Sequence, residues 1–294
     1  MTSPKPVTTA VILASGYGTR MLPITAGVQK ELLPILNRPV IDYVVQDCLR
    51  AGIKRVIFVV RPGTHALQDY YLGSEALQRH LEHFGKQEAL AELRQLHQAA
   101  SFEFVEQPSD AGYGTGVPPR LVRPLLAADE GIIMCGGDDF VWHADGRSEV
   151  AAMLALLAEQ PNAAGVISCL AKPVDQLHKY GVIKPRTEAG REVLDGFVEK
   201  PATGQAPSNL VNISKYVMMP AMLNHIDQLK PDTKSGEYFV TDAVLACAQE
   251  QTVLIHQATG QFLDAGSLAG WLQANLVVAR QDEALAAIIR ENSK

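Results

Sequence analysis

Three stretches of this chain set charged side chains beside glycine in ways that suit phosphate chemistry. The first is Gly16-Tyr17-Gly18-Thr19-Arg20, with Lys30-Glu31 following closely. Glycines in such a turn let backbone N–H groups come close to a phosphate. Arg20 would add a planar fork and Lys30 a point charge, together a cradle for a triphosphate. The stretch is not a dinucleotide fingerprint, because Met21 stands where the third glycine belongs, and no Gly-Lys-Ser/Thr follows to make a Walker A loop. A tight turn beside solvated cations is the plainer alternative. The second stretch is Gly136-Gly137-Asp138-Asp139. A carboxylate after two glycines at a strand end can hold Mg2+ beside phosphates, or simply cap the next turn. Asp264, ahead of Gly266, is either a second acid for that metal or an N-cap for the last helix, and His143 reads as a surface-loop histidine. The third stretch, Glu199-Lys200-Pro201, can bind a sugar hydroxyl and a phosphate together, or be surface charge.

The elements that must position these residues follow from periodicity. Val7 to Ala14 reads as a buried strand. In Pro39 to Ala51 the residues Val40, Ile41, Val44, Val45 and Cys48 share one helical face, with Pro39 in the first turn and Gly52 at the stop. Arg55 to Val60 is a near-continuous apolar run, as in a parallel strand covered on both faces, so the chain opens as a βαβ unit. Amphipathic segments 74–84 and 86–99, strand 102–106, a Gly112-Tyr113-Gly114 loop, a helix from near Pro118 and strand 131–135 come next. This alternation predicts a doubly wound parallel sheet. The second half is more mixed, with strands at 165–170, 181–184, 193–198, 210–218 and 253–257, helices at 149–159, 221–229 and 241–249, and a final helix over 268–291.

The 294 residues, 47% hydrophobic and 20% charged, suffice for a full core and disfavour a disordered or fibrous chain. A net charge of −6 without a basic stretch disfavours nucleic acid as a partner. Cys48, Cys135, Cys169 and Cys247 lack metal spacing and read as buried reduced thiols. Met1 to Thr9 has no apolar leader core, and no run is long enough to span a bilayer. A soluble cytoplasmic protein without membrane partners is expected.

Taken in order, Gly16-x-Gly-Thr-Arg20, Lys30-Glu31-Leu-Leu-Pro34, Asn37-Arg38-Pro39, Gln107, Gly-Gly-Asp138, Tyr180-Gly181-Val182, Glu199-Lys200-Pro201, Ser208-Asn209 and Asp264-Ala-Gly266 form a constellation. It resembles the sugar-1-phosphate nucleotidyltransferases, most closely the bacterial uridylyltransferases acting on UTP and glucose 1-phosphate (the UDP-glucose pyrophosphorylases), from about Val7 to Arg280. The 63–100 insertion and Gly236-Glu237-Tyr238 followed by Thr241-Asp242-Ala243 fit the same group.

The resemblance implies an α/β fold, a Rossmann-like three-layer α/β/α sandwich with a mixed, mainly parallel central sheet. It implies one domain over 1–294: a nucleotide-binding half at about 7–147, a sugar-phosphate half at about 148–266 and a C-terminal helix at about 267–294. It also implies a homodimer or homotetramer. By the same resemblance Ala14, Ser15, Gly16, Gly18, Thr19 and Glu31 would surround the nucleotide, and Gln107, with Gly112 and Gly114, would read the base. Arg20 and Lys30 would neutralise the triphosphate, Asp138 and Asp264 would hold Mg2+, and Tyr180, Gly181, Glu199, Lys200 and Asn209 would bind the sugar phosphate. Positioning and charge neutralisation would then carry an in-line displacement.

The chain departs from the family pattern in its Ala-Ser-Gly first loop, in Gly-Tyr-Gly-Thr-Gly-Val after Gln107, in Asp264-Ala-Gly-Ser and in Asn212 to Tyr216. Glu106-Gln107-Pro108 and the Asp264 version lean toward thymidylyltransferases, which keeps dTTP as an alternative donor. A non-catalytic regulatory paralogue is a further alternative, opposed by intact Arg20, Lys30, Asp138 and Lys200, and a nicotinamide dehydrogenase is opposed by Met21.

Overall fold

The apolar run Thr9–Ala14 is buried because it lies between two parallel strands and under two layers of helices. The computed structural model describes residues 6–188 and 190–292. Residues 1–5 of the N-terminal stretch and the last two positions of the C-terminal segment lie outside the described residues.

The strands are β1 (Thr9–Ala14), β2 (Pro34–Ile35), β3 (Arg38–Pro39), β4 (Arg55–Val60), β5 (Ser101–Glu106), β6 (Ile132–Gly136), β7 (Asp139–Trp142), β8 (Gly165–Ala171), β9 (Gly181–Glu188), β10 (Arg191–Glu199), β11 (Leu210–Met218), β12 (Val253–Gln257) and β13 (Gln261–Asp264). The helices are α1 (Val40–Arg50), α2 (Ala66–Leu72), α3 (Glu75–His83), α4 (Ala91–Ala99), α5 (Val117–Val122), α6 (Glu149–Glu159), α7 (Pro220–Asp227), α8 (Val240–Glu250), α9 (Leu268–Ala279) and α10 (Glu283–Glu291).

Nine strands form one sheet in the order β5-β4-β1-β6-β11-β8-β12-β10-β9. Parallel pairing joins β5, β4, β1 and β6, and again β8 and β12. β11 runs antiparallel between β6 and β8, and β10 antiparallel between β12 and β9. The mainly parallel arrangement therefore holds through β6 and gives way beyond it, where antiparallel neighbours need no helical crossover. Because side chains alternate across a strand, Ala10, Ile12 and Ala14 pack with Ile41, Val44, Val45 and Met153 on one face. Val11, Ile57 and Val59 pack with Val122, Leu223, Ile226 and Val244 on the other.

Three elements differ from expectation. The final helix breaks between α9 and α10, where the Asp282 side chain accepts the Leu285 N–H and caps a new start. Leu67 and Tyr71 add α2 ahead of the amphipathic segments. β7 and β13, too short to show a period, pair as a separate antiparallel ribbon with Asp264 opposite Asp139 and Gln261 opposite Trp142. Phe140 of that ribbon stacks on Tyr43 of α1, ring centroids 4.8 Å apart. The four cysteines are buried and unpaired. Among the described residues no helix is long and apolar enough to cross a membrane.

Candidate active site

The first turn and Lys30 fit each other closely. Gly18 has φ +64°, and a Cβ there would lie 3.1 Å from both Lys30 Cβ and Thr25 Cγ2, so the position needs glycine for conformation and for space. Lys30 Nζ donates to Asp138 Oδ2 at 2.7 Å and lies 3.6 Å from Glu31 Oε1. Burial alone would push Lys30 down, but Asp138 and Glu31 outweigh it and hold the ammonium above its ordinary range. Lys30 is thus a fixed cation at neutral pH.

Glu31 is corrected here. Its side chain has no exposed surface, and neither carboxylate oxygen has a hydrogen-bond partner. Burial pushes its carboxyl up to about 7 against the pull of Lys30. It lies beneath Lys30 and has no surface with which to touch a nucleotide.

Asp138, Asp264 and Arg20 meet at Gly266. The β7–β13 pairing lets the Ala265 N–H donate to the Asp138 carbonyl at 2.9 Å. The Gly266 N–H donates to Asp264 Oδ1 at 2.8 Å. A methyl group on Gly266 would lie 2.6 Å from Asp138 Oδ2, 2.8 Å from Arg20 Nη2 and 3.0 Å from Asp264 Oδ1. Two carboxylates from distant segments and one guanidinium therefore converge on a point where only hydrogen fits. Asp264 is not the helix cap, since Ser267 accepts the Gly270 N–H at the start of α9.

A further charged group, within the Asn212 to Tyr216 segment, lies under this site. Lys215 of β11 is 1% exposed and donates to Asp139 Oδ1 at 2.9 Å and to the Asp139 carbonyl at 3.1 Å. Burial works against its charge, but Asp139 outweighs burial and keeps its pKa above the ordinary value. Burial raises Asp139 in turn, opposed by Lys215. A shift in register between Asn212 and Tyr216, with Ser214 at φ +55°, bends β11 beside this lysine. The available signal was a lysine inside a mostly apolar strand, which must find a buried partner.

The base-reading candidates also meet. Ser15 Oγ donates to Gln107 Oε1 at 2.7 Å, and Gln107 Nε2 donates to the Gly112 carbonyl at 3.0 Å. One N–H and one lone pair of the Gln107 amide are left over. Gly114 has φ +115°, and a Cβ there would strike the Tyr238 carbonyl. The loop is pinned by Gly116 N–H to the Tyr238 carbonyl and Tyr238 N–H to the Tyr113 carbonyl, each 2.8 Å.

A second group lies at the β9–β10 edge. Gly181 pairs with Glu199, and the Lys200 N–H donates to the Tyr180 carbonyl at 3.0 Å. Lys200 and Glu199 side chains are exposed, with Nζ 3.8 Å from Oε1. The Lys172 N–H donates to the Asn209 carbonyl, and Lys172 Nζ lies 5.7 Å over the Tyr180 ring. Among the described residues no hydrogen bond or ion pair joins this group to Lys30 and Asp138. His143 is corrected as well, since it is buried against Glu149.

The profile of the nucleotidyl transferase family matches residues 9–281. The chain belongs to the nucleotidyl transferase family. A UTP–glucose-1-phosphate uridylyltransferase of Bacillus subtilis (strain 168) is 32% identical over 96% of this chain and 94% of its own. A crystal structure of UDP-glucose pyrophosphorylase complexed with UDP-glucose superposes with a TM-score of 0.80 at 28% identity, covering 94% of this chain and 99% of its own. A UTP-bound UGPase from Acinetobacter baumannii superposes with a TM-score of 0.85 at 25% identity, covering 98% of this chain and all of its own. In this nucleotidyl transferase, Gly266→Ala is expected to leave the fold intact and lower kcat about 100-fold, the usual effect of an ångström-scale displacement of reacting groups. Turnover within fivefold of wild type, with unchanged melting temperature, would show that the convergence on Gly266 is incidental.

Proposed function

We propose that this nucleotidyl transferase moves the uridylyl group of UTP to glucose 1-phosphate, giving UDP-glucose and pyrophosphate. The observation that carries the reading is the meeting of Arg20, Asp138 and Asp264 at Gly266, with Lys30 held on Asp138. A phosphate oxygen of glucose 1-phosphate attacks the α-phosphorus of UTP in line. The new P–O bond forms as the bond to pyrophosphate breaks, and pyrophosphate leaves with the electron pair. The attacking oxygen is already ionised at neutral pH, so no general base is required. Two polyanions must approach, and Arg20 and Lys30 offset their repulsion.

The acids present fit a magnesium ion. Asp138 Oδ2 is taken by Lys30 and Asp264 Oδ1 by the Gly266 N–H, which leaves one hard oxygen on each residue. Mg2+ is commonly held by one or two carboxylates plus substrate phosphates. When bound, the ion would supply further neutralisation of the triphosphate. We assign Ala14, Ser15, Gly16, Gly18 and Thr19 to the nucleotide. Tyr180, Gly181, Glu199 and Asn209 are assigned to the sugar and Lys200 to its phosphate, with the exposure of Lys200 and Glu199 leaving both open to a ligand.

The unused N–H and lone pair of Gln107 match the carbonyl and N–H of a uracil edge. Thymine shares that edge, so the same observation supports dTTP as the second reading. Gln107→Ala is expected to raise the KM for UTP about tenfold and to narrow the preference for UTP over CTP, since a site built to hydrogen-bond one edge rejects another by leaving its own groups unpaired. Unchanged selectivity among nucleotides would mean that the base is read elsewhere.

The two cores on opposite sheet faces support a Rossmann-like three-layer sandwich formed by one domain. Exposed Leu268, Leu272 and Ile288 on α9 and α10 favour a homodimer or homotetramer. Four unpaired buried thiols are in keeping with a cytoplasmic setting. The deciding experiment is pyrophosphate release with Mg2+ and glucose 1-phosphate, testing UTP, dTTP, ATP, CTP and GTP in parallel with Asp138→Ala as blank. UTP preference supports the proposal, dTTP preference moves the chain to thymidylyl transfer, and silence across a panel of sugar phosphates leaves the non-catalytic paralogue.

A further inference from the structure

Glu149 takes no part in the steps above, yet it accepts five hydrogen bonds. It is 1% exposed and opens α6. Its Oε1 accepts from His143 Nε2 at 2.7 Å, Thr259 N at 2.7 Å, Thr259 Oγ1 at 3.1 Å and Gly260 N at 2.9 Å, and its Oε2 accepts from His256 Nε2 at 2.5 Å. Burial opposes its charge, but these donors outweigh burial and hold the carboxyl well below the usual range. The carboxylate is therefore a fixed anion.

What it binds is the far end of the β7–β13 ribbon. His143 directly follows β7, and Thr259-Gly260 leads directly into β13. The strands close so tightly there that a Cβ on Gly260 would lie 2.6 Å from His143 Nε2 and 2.7 Å from the Trp142 carbonyl. The near end of the same ribbon carries Asp139 opposite Asp264, with Asp138 adjoining, and is held by Lys215. A two-stranded ribbon is marginal in water by itself. A slip of one residue would turn Asp264 to the opposite face. Packing of Phe140 on Tyr43 ties the ribbon to α1, but apolar contact specifies residue-by-residue alignment far less sharply than hydrogen bonds do.

We infer that Glu149, with His143 and His256, is a positioning unit that fixes the register of β13 on β7 and so holds Asp264 beside Asp138. The inference rests on the reading of those two acids as part of the reacting site. The chain thus carries one buried charged anchor at each end of the ribbon, and only the near one touches the site.

The test compares Glu149→Ala, Glu149→Gln and Asp264→Asn in the full chain. It measures kcat and KM for UTP, together with hydrogen exchange at the Ala265 amide, which bonds the Asp138 carbonyl at 2.9 Å. Glu149→Ala should lower kcat about 30-fold with KM for UTP within about twofold, in the 10–100-fold range of residues that orient site ligands. Exchange at Ala265 should quicken while the β1 and β4 amides stay protected. Glu149→Gln keeps an acceptor oxygen for Thr259 and Gly260 and should recover kcat to within about fivefold of wild type. Should Glu149→Ala fail to fold, His256→Leu removes one donor from the clamp and should show the same kcat and exchange pattern in weaker form. Wild-type kcat in the Glu149 and His256 variants, while Asp264→Asn is inactive, overturns the clamp alone. Wild-type kcat in Asp264→Asn overturns the site assignment and the clamp with it. A general loss of exchange protection across the sheet assigns Glu149 to global stability and overturns the positioning role.

Discussion

Asp138→Ala is expected to lower kcat by on the order of 10³-fold, the scale seen when a preorganised charge partner is lost from a reacting site. The size of the effect comes from what the carboxylate does at once. One oxygen holds Lys30 Nζ at 2.7 Å. The same oxygen, Oδ2, faces the point where Arg20 and Asp264 converge, and the free Oδ1 would ligate the metal in the proposed reaction. Without Asp138, the remaining anion beside Lys30 is Glu31 at 3.6 Å. The ammonium would then sink toward the buried Glu31 and away from the triphosphate. Asp138→Asn should be nearly as inactive, because the amide preserves shape and loses charge. Pyrophosphate release checks both variants, and melting temperature confirms that they fold. A rate within tenfold of wild type in either would remove Asp138 from the mechanism.

Lys215→Met is expected to destabilise the fold by about 3–5 kcal/mol, the usual result of removing one partner from a buried ion pair. Asp139 would be left in the interior with its charge uncompensated, next in sequence to Asp138. Folded Lys215→Met should accordingly turn over slowly as well. The double variant Lys215→Met with Asp139→Asn removes both charges and should regain much of the lost stability, because replacing a whole buried pair is often near neutral. Urea unfolding of the two single variants and the double measures this directly. A loss below 1 kcal/mol in Lys215→Met, or no recovery in the double variant, would show that the pair is not energetically coupled.

Much of the scaffold was legible from short-range pattern. The helices at 40–50 and 149–159 and the strands at 55–60, 210–218 and 253–257 lie where periodicity and caps put them. Each buries a face whose spacing is set by its own backbone geometry. The glycine turns at 16–18 and 112–114 were legible for a related reason, since a left-handed residue or a close approach leaves glycine as the residue that fits. Asp138 stood out as an acid at the end of a buried strand.

What stayed hidden involves partners far apart in the chain. Glu31 reads as a polar neighbour of Lys30, and only packing against Gly137 and the strand ends shows it to be sealed in. Lys215 sits in a strand whose antiparallel place beside β6 no local signal announces. His143 resembles a loop histidine until its bond to the buried Glu149, which His256 of β12 also holds, is formed. The β7–β13 ribbon joins segments more than a hundred residues apart, and neither is long enough to declare itself. The sequence alone determined the identity of the charged groups and the local elements that carry them, because propensity, periodicity and capping act within a few residues. The tertiary structure decided which charges meet, which are buried and which face a ligand, because burial and register depend on contacts between distant segments.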